Sequence, residues 1–164
     1  MKKYVKKHQI MMLLCIIFIV IIGLCIFIYY NKNTPEDIAS LTDLWIKEVI
    51  VNHNPDAIYN LFCPDGSLVG TVSQVKRKGV DIKKYFNYFA KLPGINVVSK
   101  KYNISKVTYN VYTNTAFITW TWDGLEQPIT ARMTFIYRNN CIFQLHSSKL
   151  PDLNKSLLQI SNLH

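Results

Sequence analysis

The chain has 164 residues, 49% of them hydrophobic and 13% aromatic, with a formal net charge of +9. That is enough for one compact core plus one extra segment, so several independent domains are excluded. Setting aside the N-terminal Lys2, Lys3, Lys6 and Lys7 reduces 19 basic residues to 15, against 10 acidic, and this mild excess of +5 argues against a nucleic-acid partner.

The extra segment comes first. Residues 10–28 (IMMLLCIIFIVIIGLCIFI) contain no charged side chain, and at about 1.5 Å per residue such a helix nearly crosses a hydrocarbon layer of roughly 30 Å. The run is too long for a secretory signal and lacks small residues at a cleavage position. Lysines precede it, whereas Lys32 after it is soon followed by Glu36 and Asp37. The expectation is a basic cytoplasmic tail over residues 1–9, a single-pass transmembrane anchor over 10–30, and a soluble domain over 31–164. That domain would face the lumen, the exterior or the outside of a virion membrane, with the lipid bilayer as partner.

Beyond the anchor, Thr34-Pro35-Glu36-Asp37 reads as a helix start: a capping hydroxyl, a proline in the first turn, and acids at the positive end of the helix dipole. Ile38, Leu41, Trp45 and Val49 continue it at helical spacing to about residue 52. Asn54-Pro55-Asp56 opens a short helix over 57–62, which Cys63-Pro64-Asp65-Gly66 ends with a turn. A short strand over 68–72, the basic loop VKRKG (75–79) and a helix over 80–91 follow. The texture then changes to β-branched and aromatic alternation, predicting strands over 97–101, 104–112, 116–122, 129–138 and 142–147. Asp123-Gly124 and Asn139-Asn140 mark turns between the last three. Helices first and an antiparallel meander afterward define an α+β domain.

Cys63 and Cys141 are the cysteines outside the apolar run; they could pair in an oxidising compartment, but no metal-type spacing accompanies them. Asn103-Ile104-Ser105 and Asn154-Lys155-Ser156 are glycosylation sequons. His8, His53, His146 and His164 show no ligand spacing, so no metal and no cofactor are expected. Trp45, Trp120 and Trp122 read as core or dimer-face residues rather than ligand stackers.

Taken in order, "LFCPDG", "RKGVDIKKYF", "LPG", "ARMTFIYR" and "LHSSKLP" resemble the nuclear-transport-factor-2-like cone fold, in the branch of SnoaL-like, ketosteroid-isomerase-like and calcium/calmodulin-dependent kinase II association-domain proteins. The resemblance covers residues 35–152 and departs from the family pattern at Leu145 and around Asn140 and Cys141. It implies three helices packed on a curved antiparallel sheet around a conical pocket, commonly in a homodimer.

Strand parity sorts the side chains. Thr130, Arg132, Thr134 and Ile136 share one face of their strand, and Ala131, Met133, Phe135 and Tyr137 the other; Gln144, His146 and Ser148 alternate with Phe143, Leu145 and Ser147. His146 and Ser147 therefore point apart, which speaks against a serine nucleophile. Arg132 and His146 could together hold an oxyanion. Arg132, Thr134, Gln144, His146 and Ser148 are thus the candidate ligand-binding set for a small anionic or apolar ligand, or else a hydrogen-bond network that fixes the sheet. The Met133, Phe135 and Tyr137 face is the candidate subunit contact. The alternative is an isomerase, cyclase or hydratase with His146 as its acid or base, although Asp43, Glu48, Asp123 and Glu126 are poorly placed to serve as the family's pocket carboxylate.

Overall fold

A six-stranded sheet organises the chain in a computed structural model that describes residues 2–30, 34–71, 73 and 75–151, with side chains of the first helix described from 11 to 27. That helix, α1 (Lys2–Tyr30), belongs to a unit Met1–Thr34, and the remaining elements to a second unit, Pro35–His164. The expected membrane anchor is corrected here: among the described residues, no helix is long and apolar enough to cross a membrane. The single-pass localisation falls with it, and the bilayer is left without support as a partner.

In the second unit, α2 (Pro35–Ile50) begins at the acid-rich first turn and buries Ile38, Thr42, Trp45, Ile46 and Val49 along one stripe. The Asn54 side chain caps α3 (Pro55–Asn60), accepting from the amides of Asp56 and Ala57. Then come β1 (Phe62–Val69), β2 (Lys76–Lys78), α4 (Val80–Phe89), β3 (Asn96–Thr108), β4 (Val111–Thr121), β5 (Ile129–Arg138) and β6 (Cys141–Lys149). Their order across the sheet is β2-β1-β6-β5-β4-β3.

The sheet is mixed, which corrects the expected all-antiparallel cone: β1 runs parallel to β6, and the other neighbours are antiparallel. The cause is local to Cys63-Pro64-Asp65-Gly66. Instead of turning the chain, this segment stays in β1, and its pairing with β6 jumps register between Phe62 and Ser67. Gly66 permits the close passage, because a Cβ there would lie 2.8 Å from the Ile142 carbonyl oxygen and 2.9 Å from that of Cys63. The basic segment expected as a loop supplies the edge strand β2, and the two strands expected over 97–112 divide instead at Tyr109-Asn110, giving the long β3 and the start of β4.

At the head of the parallel seam, Cys63 and Cys141 form a disulfide with their Cα atoms 5.0 Å apart. The inner face of the sheet is apolar: Tyr112, Ala116, Ile118 and Trp120 of β4 lie beside Tyr137, Met133, Ala131 and Ile129 of β5, and Phe135 beside Leu145 of β6. Of these, all but Ile129 are buried in a core shared with α2 and α4.

The disulfide closes a loop with a sequence separation of 78 residues, and cross-links of this size typically contribute about 2–4 kcal/mol. Replacing both cysteines with serine should lower the urea-unfolding free energy by that amount. Adding reductant should weaken the wild type equally and leave the double variant unaffected.

Candidate functional site

Where α2 and α4 stand over the inner face of the sheet, they leave a cavity of about 410 Å³, a size typical of small-molecule sites. Trp45 forms part of its lining, making edge-on contacts with Phe86, Trp120 and Phe135 at centroid distances of 5.8, 6.1 and 5.3 Å. Phe89 meets Trp120 edge-on at 5.3 Å. The sheet contributes Ala131, Met133, Leu145 and Ser147, which alternate with outward-facing neighbours and therefore share one side.

The polar groups of the lining are few. The hydroxyls of Thr71 and Ser147 are 2.6 Å apart. Tyr85 carries the Arg77 guanidinium 5.0 Å above its ring centroid. Burial raises the Tyr85 hydroxyl above its ordinary value and Arg77 partly offsets this, so the group is neutral at physiological pH. Among the described residues, Arg77 and Lys149 are the charged members of the lining, which includes neither a carboxylate nor an imidazole.

Deeper in the core, Thr42 donates to the Ile38 carbonyl at 2.9 Å and accepts from Asn114 Nδ2 at 2.8 Å. Its single proton is thereby used, so Tyr137, 2.8 Å away, is the donor in the third bond. Burial holds the Tyr137 hydroxyl well above the ordinary tyrosine range, against the lowering effect of Thr42. The indole N–H of Trp45 and the carboxamide oxygen of Asn114 are buried without a hydrogen-bond partner among the described residues.

The candidate set read from the sequence lies elsewhere. Arg132 is the register partner of Ser148, Thr134 of His146, and Ile136 of Gln144, so these residues do share a face. It is the outer face: Arg132 and His146 are exposed, whereas Met133, Leu145 and Ser147 turn inward. A bond of 3.5 Å from Ser148 Oγ to the Arg132 carbonyl ties the two strands. His146 and Ser148 border a shallow outer cleft of about 280 Å³, together with Val69, Gly70 and Thr71.

The acids considered are engaged or peripheral. Asp43 accepts from Lys100 at 2.5 Å and also from the Tyr102 hydroxyl, Glu48 accepts from Asn52, and none of the four lines the cavity. Met133, Phe135 and Tyr137 are covered by the chain's own helices and are not free to meet another subunit. Trp45 and Trp120 are core residues and also line the cavity, with Trp122 half-buried beside them. The sequon at Asn103 is exposed on β3, whereas Asn154, like His164, lies outside the described residues, as does the His8 side chain. The residues that line the cavity were visible in the sequence as the apolar half of each alternation, with no signal that this half faces an open space.

No family model and no curated protein matches the chain. Solved structures do. A protein from Xanthomonas campestris assigned as a calcium/calmodulin-dependent protein kinase II association domain matches with a TM-score of 0.61 and 25% identity, over 74% of this chain and 91% of its own. One from Streptomyces avermitilis, assigned as a dehydratase of the NTF2-like family, matches with a TM-score of 0.62 and 10% identity, over 71% and 96%. The Anabaena orange carotenoid protein binding canthaxanthin matches with a TM-score of 0.57 and 16% identity, over 73% of this chain and 38% of that one. The chain therefore carries the cone fold of the nuclear-transport-factor-2-like superfamily.

The Thr42 junction sets a pH dependence. A tyrosine whose folded pKa is raised contributes its stabilisation fully below the unfolded value of about 10, and loses it as the pH climbs from there toward the raised value. Unfolding free energy should thus fall steeply above pH 10. In Tyr137→Phe the fall should be shallower, at a cost near neutrality of about 0.5–1.5 kcal/mol for the lost hydrogen bond; denaturant titrations across pH 7–11.5 would measure both.

Proposed function

We propose that this cone-fold domain binds a small, mainly apolar molecule in the cavity between α2, α4 and the inner face of the sheet. The observation that carries the reading is the cavity itself: about 410 Å³, walled by Trp45, Phe86, Phe89 and Trp120 and floored by Ala131 and Met133. A void of that size lined by apolar groups forfeits dispersion contacts that a guest would restore. The carotenoid-binding neighbour supports a ligand-holding use of the fold. Isomerase, cyclase or hydratase chemistry finds less support, because acid–base work in this lining would have to draw on hydroxyls, Arg77 and Lys149.

A second reading, self-association, is supported by the outer face. Arg132, Thr134, Gln144, His146 and Ser148 lie there beside the half-buried Ile136 and Phe117, and one structural neighbour is assigned as an association domain. On this reading the polar set frames a contact between two sheets rather than a pocket.

The cavity tryptophans report occupancy directly. Titration with 1-octanol, a neutral probe, should give a saturable change in tryptophan emission. Ala131→Phe, which fills the floor, should weaken it at least tenfold while near-ultraviolet circular dichroism stays native; unaltered affinity in the folded variant would remove the cavity as the site. For the outer face, sedimentation equilibrium should give a lower mass for Phe117→Lys/Ile136→Lys than for the wild type, and equal masses would remove that face as a contact.

A further inference from the structure

Resting on the cavity reading, we propose that the ligand is an amphipathic monoanion, an apolar body ending in a carboxylate, with its head held at the cavity mouth by Arg77 and Lys149. Both residues reach the cavity from strand positions that face inward. Arg77 is the register partner of Leu68, a buried core residue, and Lys149 is the partner of Ala131 on the cavity floor.

The two cations of the lining have no acid partner among the described residues. Among the described residues, Lys83 holds Asp56, Lys84 holds Asp81, Lys100 holds Asp43 and Arg138 holds Asp65, whereas neither Arg77 nor Lys149 takes part in an ion pair. Among the described residues, the lining offers no carboxylate to neutralise them. A pocket whose body is apolar and whose charges are all of one sign selects for a guest of complementary build.

The guanidinium is also prepared for the task. It lies over the Tyr85 ring at 5.0 Å, and its Nη1 donates to the Val75 carbonyl at 3.1 Å. One donor is therefore anchored and the ring limits rotation, while the remaining N–H groups of the fork are left for a planar carboxylate. Lys149, exposed at the rim, supplies a second, mobile positive charge. The Thr71 and Ser147 hydroxyls, joined at 2.6 Å, give the polar end of the wall further hydrogen-bonding atoms.

Octanoate and 1-octanol have the same chain length and differ in the head group, so comparing them separates head from tail. With the full chain at low salt, octanoate should bind at least tenfold more tightly than 1-octanol by tryptophan emission, and 0.5 M salt should narrow the gap. Arg77→Gln and Lys149→Gln should each narrow the preference for octanoate over 1-octanol severalfold, and together abolish it. Arg77→Lys should retain part of the preference, which guards against a merely structural effect at this position. Equal affinities in the wild type, or a preference that survives in the double variant, would overturn the anionic head and leave the apolar cavity standing. If neither compound binds, the cavity reading itself fails, and this inference with it.

Discussion

Everything in the cone is arranged around one indole. Trp45 projects from the buried stripe of α2 and meets Phe86 of α4, Trp120 of β4 and Phe135 of β5 edge-on, so a single side chain joins both long helices of the domain to the middle of the sheet. Aromatic pairs of this geometry contribute about 0.5–1.5 kcal/mol each beyond their buried area. One turn earlier, Thr42 meets the polar need of the same helix face by binding Asn114 and Tyr137. With these two residues in place, α2 is held over β4 and β5, and the space left beside it toward α4 becomes the cavity.

The two-residue period of the strands then divides the labour of the sheet. Inward positions of β5 and β6 build an apolar floor, and outward positions build a polar surface, so cavity wall and outer surface are carried by alternate residues of the same segments. Arg77 of β2 and Lys149 of β6 are exceptions to this sorting, as cations in the lining whose register partners, Leu68 and Ala131, are buried. That placement keeps their charge hydrated while their stems border the apolar lining.

Much of this was legible in the chain. The helix start at Thr34-Pro35-Glu36-Asp37, the Asn54 cap, the limits of β5 and the parity of its residues all follow from short-range rules, and the overall order carries a family resemblance. What could not be read depends on distant partners. Cys63-Pro64-Asp65-Gly66 looks like a turn unless it is known that the backbone of β6 passes alongside and that Gly66 makes room for it. Parity separated Arg132 and His146 from Met133 and Leu145 correctly, but it does not say which set the helices cover. Polarity suggests Arg132 and His146 as a pocket lining, whereas the hydrophobic effect turns the apolar set inward and makes the cavity from it. The basic run 76–78 became a strand only because β1 offers it an edge.

Among the described residues the sheet does not close on itself: β2 ends it on one side and β3 on the other. Both borders are cationic, with Lys76 and Lys78 on the first and Lys101 and Lys106 along the second, where two register irregularities also interrupt the ladder. Two copies brought border to border would set ammonium against ammonium, and strands so charged and kinked are poor templates for recruiting a further strand. The fold thus carries, on the two strands that border its described sheet, its own guard against growing into continuous ribbons.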